Sequence, residues 1–293
     1  MKKSYIFAVI AVFLWGTMAT VVKLVLAEIP NLQALSISSF IATIFLLLVN
    51  LCSDARRKWK CYSIKQYFEM SLLGFLGMFL YSAFYYYGIG QLTAQEACIL
   101  NYLWPIMLVV FSCIILREKL SVKKIVAIVM SFVGIAVLSL GNHEVRTGNY
   151  VLGILSCIGA AICYGLFSVL NKKKNMDQNI MMPISWLTVS CCALILGRLT
   201  EDWVVIKGMQ WFGIVWLGVC TSALAYLLWA IALRDAEDTA KIANLAYLTP
   251  FISILFSAVF LKEKIKWNAI LALIFIVGGI LLQNVNIKSR DQR

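Results

Sequence analysis

The stretch LNYLWPIMLVVFSCIILREK, Leu100 to Lys119, returns in altered form as LAYLTPFISILFSAVFLKEK, Leu245 to Lys264. At a fixed offset of 145 residues, Tyr102, Leu103 and Pro105 fall on Tyr247, Leu248 and Pro250. Phe111 and Ser112 fall on Phe256 and Ser257, and Leu116, Glu118 and Lys119 fall on Leu261, Glu263 and Lys264. Each copy lies in a long apolar run. A chain of two related apolar halves is most often a transporter.

The composition places these halves in lipid. The chain has 293 residues, 62% of them hydrophobic, with a mean hydropathy of +0.87. A soluble domain sits nearer half apolar. The start, MKKSYIFAVIAVFLWG, has the look of a leader, but no small-residue cleavage site follows and the apolar run continues to Leu26. It reads as a first crossing. Ten stretches near the ~20 residues needed to cross hydrocarbon can be marked: about 4–27, 32–51, 67–90, 93–116, 122–141, 148–171, 180–199, 209–233, 239–261 and 267–286. Helices are the expectation, because in lipid every backbone polar group needs a partner within the protein. The fold class is therefore all-α integral membrane.

Charge orients the spans. The net charge is +12. On a soluble protein that would suggest nucleic acid; here the basic residues gather in short connections, so no nucleic-acid partner is expected. With both termini on the cytoplasmic side, 19 Lys and Arg fall inside and six outside, and Lys23 lies within a span. Both termini are thus expected in the cytoplasm, and the membrane is the cell membrane. The connection near Lys262, Lys264 and Lys266 breaks the bias. Five spans per half is an odd number, so the second half enters the membrane upside down. The first repeat is expected over 1–143 and the second, inverted, over 144–293. At an offset of 149, Trp15, Gly16 and Lys23 fall on Tyr164, Gly165 and Lys172. Tyr81 falls on Tyr226 at the offset of 145.

Several side chains could carry chemistry. Pro105 and Pro250 lie mid-span, where proline removes a donor and frees the carbonyls of Asn101 and Ala246. They are either fixed kinks or paired hinges beside a central cavity. Tyr81 and Tyr85 share one face of the third span, and Tyr226 and Trp229 share one of the eighth. Asn244, Tyr247 and Phe251 form a stripe on the ninth, while Trp15 and Tyr164 lie mid-span. Such rings either pack helices together or line a pocket, since their polar tips need partners at depth. Asn101 and Asn244 are uncharged polar groups at depth. They hold helices together by hydrogen bonds or contact a substrate.

Lys23 and Glu96 are the charges set within spans. They read as a pair closing an outer gate, with Glu96 the best protonatable coupling group, or as snorkelling side chains. Glu118 and Glu263 read as local ion pairs at span ends, of little weight if exposed. Gly134, Gly153, Gly159, Gly278 and Gly279 suit close helix packing or a homodimer contact. Nine scattered Cys show no metal-ligand spacing and His143 has no second ligand near it, so neither metal nor cofactor is expected. There is no GxxxxGK[ST], HExxH or GxSxG motif, which argues against ATP-driven transport and against an enzyme.

The two halves and the recurrent Leu-x-Pro…Glu-Lys segment resemble the EamA branch of the drug/metabolite transporter superfamily. The run Gln95-Glu96-Ala97 with Asn101-Tyr102-Leu103-Trp104-Pro105 also resembles the aromatic amino acid exporter subgroup. The resemblance implies ten helices in two inverted five-helix repeats and a cavity lined by helices 1, 3, 4, 6, 8 and 9. It implies export of amino acids or similar metabolites. It puts Trp15, Tyr81, Asn101, Tyr102, Trp104, Tyr164, Tyr226, Asn244 and Tyr247 near that cavity. The second repeat departs from the first, with Thr249 for Trp104 and Lys241 for Glu96. The expected activity is secondary transport or facilitated export of aromatic or large apolar amino acids by alternating access. A nucleobase, drug or phosphorylated metabolite is the alternative substrate; a receptor or intramembrane enzyme is the rival class.

Overall fold

The computed structural model describes residues 2–53, 55–119, 121–140, 149–174, 176–236 and 239–284. His143 and the expected boundary between the halves lie outside them. The described residues are helical, with short connections and no strand. Among the described residues the longer helical units are α1 (Lys2–Leu26), α2 (Asn31–Leu51), α3 (Ile64–Gln91), α4 (Ala94–Ile115), α5 (Val122–Leu140), α6 (Tyr150–Lys174), α7 (Gln178–Thr200), α8 (Gln210–Arg234), α9 (239–260) and α10 (Trp267–Asn284), with a short helical turn over Ala55–Cys61 between α2 and α3. Seven helices are long and apolar enough to cross a membrane, and they fall in α1 to α4 and α6 to α8. Leu245–Phe260 and Trp267–Leu282 are shorter apolar helices. Large apolar side chains such as Leu48, Ile114, Leu155 and Leu255 are exposed on the outside of the bundle, as a bilayer solvent requires.

Four of the units are interrupted, and the interruptions come in pairs. α3 passes through a π-helical stretch at Phe75–Leu80, and α8 through another at Trp216–Leu224. Such stretches inside α-helices are frequent at functional sites. α4 stops at Asn101, turns through Tyr102 and Leu103, and restarts at Trp104 with Pro105 in its first turn. α9 stops at Asn244, tightens into a 3₁₀ turn over Leu245–Leu248, and restarts at Thr249 with Pro250 in its first turn. Proline is tolerated at a helix start because that amide has no intrahelical partner to lose. The lower ends match as well. Arg117 (φ 57°) and Lys262 (φ 54°) are left-handed. The amides of Glu118 and Glu263 then reach back to the carbonyls of Ser112 (3.3 Å) and Ser257 (3.4 Å).

The packing follows the same correspondence. α5 lies against α10 and α2 against α7; α6 packs on α3 and α4, and α1 on α8 and α9. Glycines set the closest approaches. A Cβ on Gly16 would lie 2.5 Å from Ile252 of α9, and one on Gly165 would lie 2.6 Å from Met107 of α4. Gly16 and Gly165 are partners at the offset of 149, and Met107 and Ile252 at that of 145. Only a residue without a side chain lets these helices touch.

Cross-links mark two ends of the bundle. At the near end, Ser4 donates to the Asp235 carbonyl, Lys58 pairs with Asp177 (2.6 Å), Lys174 with Glu69 (2.7 Å) and Lys172 with Glu118 (3.7 Å). At the far end, Leu32 and Gln33 donate their amides to the Glu201 carboxylate (3.0 and 3.1 Å), and Ala94 and Gln95 donate theirs to Glu263. The α4–α5 turn that carries Glu118 and the α9–α10 turn that carries Glu263 are therefore at opposite ends.

Candidate functional site

A cavity of about 540 Å³ runs inside the bundle between α1, α2, α3, α4, α6, α7, α8 and α9. It reaches the near end, where Asn50, Asn171, Gln178 and Asn179 line it. Its deep part is aromatic. Tyr81 lies against Tyr164 (ring centroids 5.0 Å apart) and Tyr85 (5.9 Å), and Trp104 meets Tyr164 edge-on at 5.2 Å and 89°. Trp15 forms a second group with Tyr226 (5.1 Å) and Trp229 (5.4 Å). Edge-on and tilted arrangements are the favoured ones for aromatic pairs. Rings of both groups line the cavity.

Polar groups in this space are few. Asn101 donates from Nδ2 to the Tyr81 hydroxyl (3.2 Å). The Asn101 Oδ1 and the Trp15 indole Nε1 are buried and have no hydrogen-bond partner among the described residues. Both residues line the cavity. A buried acceptor and a buried donor without partners are costly arrangements, by about 1–3 kcal/mol each, and a polar ligand would relieve both. Among the described residues, no side chain lining this cavity carries a formal charge.

Of the eleven residues assigned to substrate contact from sequence, nine line the cavity: Trp15, Tyr81, Tyr85, Asn101, Tyr102, Trp104, Tyr164, Tyr226 and Trp229. Asn244 and Tyr247 are not among its lining residues. Asn244 is exposed and Tyr247 packs, half-buried, against the apolar core. The 3₁₀ turn over Leu245–Leu248 advances the chain by about 120° per residue rather than 100°, so a stripe drawn on a continuous helix points the wrong way. Ala246 and Thr249 line the cavity in their place. The repeat offset indicates this, because Asn101 corresponds to Ala246 and Trp104 to Thr249. Tyr102 donates its hydroxyl to the carbonyl of Ala246, which Pro250 leaves without an amide one turn on.

Lys23 and Glu96 lie at the far end, within electrostatic reach of one another, and each also bonds to backbone. Lys23 Nζ donates to the carbonyls of Ile89 (2.7 Å), Leu92 (2.6 Å) and Gly90 (3.4 Å). Glu96 completes a capping box with Thr93 at the start of α4. Glu263, expected to be a minor local pair, instead accepts the Ala94 (2.8 Å) and Gln95 (3.2 Å) amides across the bundle. The contributions of α2 and α7 through Leu46, Asn50, Met182 and Pro183 were also missed. Pro183, inside α7, was the available signal.

The sequence pattern of the EamA-like transporter family is matched over residues 2–140 and 151–285. Uncharacterized transporter YvbV of Bacillus subtilis is 27% identical over 290 residues, covering 96% of this chain and 91% of that protein. Aromatic amino acid exporter YddG of Ancylobacter novellus is 26% identical over 219 residues, covering 74% of this chain and 76% of its own. A solved crystal structure superimposes with a TM-score of 0.67 at 23% identity, covering 97% of this chain and 96% of that one, and so has the same fold. With a helical membrane bundle, a cavity along its axis and a pattern matched over both parts, the chain belongs to the EamA-like transporter family.

Proposed function

We propose that this transporter exports amino acids with aromatic or large apolar side chains across the cell membrane, as a secondary transporter or facilitator. Ten crossings form two inverted five-helix halves, with both termini and the near end in the cytoplasm. The basic residues of the near-end connections support that orientation. The observation that carries the substrate reading is the cavity itself. Its rings offer stacking surfaces for an apolar side chain. Its open acceptor on Asn101 suits an ammonium group, and its open donor on Trp15 suits a carboxylate. A zwitterion needs no net countercharge, and the lining supplies none. A phosphorylated metabolite would require several inward Lys or Arg side chains. The relative named as an aromatic amino acid exporter supports the same reading.

The test is purified protein in liposomes with a panel of labelled amino acids, with and without a pH gradient. Saturable flux of aromatic substrates is expected, reduced about tenfold or more by Trp15→Ala and by Tyr81→Ala, since an aromatic contact at a binding site is worth about 1–3 kcal/mol. Normal flux in both variants would show that the substrate sits elsewhere.

A further inference from the structure

We propose that Lys23 and Glu263 form a clasp that shuts the far end of the cavity, and that Lys172 and Glu118 form the matching clasp at the near end when the cavity opens the other way. The inference rests on the reading of two inverted halves around the cavity.

The far clasp grips one turn from both sides. Residues 89–95 carry the chain from α3 into α4. Lys23, from α1, holds the carbonyl end of α3 through Ile89 and Leu92 at 2.7 and 2.6 Å. Glu263, from the end of α9, holds the amide end of α4 through Ala94 and Gln95 at 2.8 and 3.2 Å. The Gln95 side chain returns a bond to the Glu263 carbonyl at 3.3 Å. A cation thus sits at a helix C-terminus and an anion at a helix N-terminus, each complementing the local dipole. Because Glu263 belongs to the second half and α4 to the first, the clasp ties the halves together where the cavity ends.

The repeat supplies a second set of the same groups. Lys172 corresponds to Lys23, and Glu118 to Glu263. Here they lie at the near end, where the cavity is lined out to Asn179. Their side chains are 70% and 40% exposed and 3.7 Å apart, and Glu118 also meets Lys124 at 3.2 Å. One clasp is made and the other is undone. Ile89 and Gly90, whose carbonyls Lys23 holds, correspond to Arg234 and Asp235 at the end of α8. Closing the near end brings Lys172 onto that helix end, while Lys23 and Glu263 release theirs. The two clasps are exclusive, since each requires the halves to rock in the opposite sense.

The experiment reads gate position, not substrate. Ala246→Cys places a reporter on the cavity wall. Membrane-impermeant maleimide is applied from either face of oriented vesicles, and peptide mass spectrometry gives the ratio of modification from the two sides. With Glu263→Ala or Lys23→Met, modification from the far side should rise about tenfold, the effect of losing hydrogen bonds to a charged group. With Glu118→Ala or Lys172→Met it should stay at or below that of the parent. Lys23→Arg must leave it near the parent value, which keeps the test open if a truncation fails to fold. An unchanged ratio in Glu263→Ala and Lys23→Met, or a shift of the same sign in the Glu118 and Lys172 variants, overturns the proposal. Failure of aromatic amino acids to be transported would leave this ratio unaffected and bears only on the substrate.

Discussion

The far end and the near end of this bundle are built from corresponding residues and behave differently. At the far end, Lys23 and Glu263 are half-buried and bound to helix termini. At the near end, Lys172 and Glu118 are exposed and paired with each other or with Lys124. Residue type is the same, so the difference lies in how closely the helices meet. A charge between helix ends in a narrow space finds backbone dipoles; a charge beside an open mouth finds water and a partner of low value. The role of such a residue belongs to the state of the molecule as much as to the chain.

The largest expected contrast lies in the glycine pair that seats α1 and α6. A Cβ at Gly165 would come within 2.8 Å of the Leu108 backbone nitrogen, whereas at Gly16 the nearest atoms belong to the Ile252 side chain. The Ile252 methyl can turn, though its Cβ at 2.8 Å moves only with the backbone, whereas two of the three atoms nearest Gly165 are themselves backbone. Gly165→Ala should destabilise by about 3 kcal/mol, the upper part of the overpacking range, and Gly16→Ala by about 1 kcal/mol. Thermal unfolding in detergent separates them, and equal losses would mean that the two halves pack alike after all. Next comes the comparison of cations. Lys23→Met strips the Ile89 and Leu92 carbonyls of their donor and should cost about 2 kcal/mol, against less than about 0.5 kcal/mol for Lys172→Met. Similar losses would erase the distinction between the two ends. A smaller effect is expected at Glu201, which serves the Leu32 and Gln33 amides at the start of α2, where Pro30 offers no side-chain cap. Glu201→Ala should cost about 1 kcal/mol, more than removal of the exposed Asp235.

The smallest effect is a pH dependence of the far end. Burial pushes the Glu263 carboxyl above its ordinary value of 4.5, and Glu96 adds to this, while the Ala94 and Gln95 amides and Lys23 pull it down. Lys262, Lys264 and Lys266 lie on the same connection. The closed end therefore holds a proton more tightly than a solvated carboxylate does. By linkage, acidification from the raised value toward 4.5 favours closure, and raising the pH favours opening. The maleimide ratio should fall on the far side as pH drops through that window, and Glu263→Gln should flatten the profile. A rise on acidification would reverse the sign assigned here.

Much of this was legible in the chain. Apolar runs mark the helices, and the offset of 145 marks the two breaks at Pro105 and Pro250. Aromatic residues at mid-span indicate the cavity, because a Tyr or Trp tip at depth needs a polar setting. What escaped depends on geometry finer than helical period. The tight turn at Leu245–Leu248 takes Tyr247 out of line with Asn244, and neither is on the cavity wall. Lys23 and Glu96 attract one another across the bundle, but that Lys23 would also hold the Ile89 and Leu92 carbonyls is encoded by no sequence pattern. Glu263 looked like a local pair because its partners, Ala94 and Gln95, are 169 and 168 residues away.

The bond from the Tyr102 hydroxyl to the Ala246 carbonyl makes two distant positions one genetic unit. That oxygen already accepts the Thr249 amide; Pro250 withholds a second one, and the tyrosine of α4 takes the remaining lone pair. Replacing Pro250 with alanine would introduce a competing amide one turn on, and the disturbance would surface in α4. Variants at either position are therefore expected to compensate for, or mask, one another.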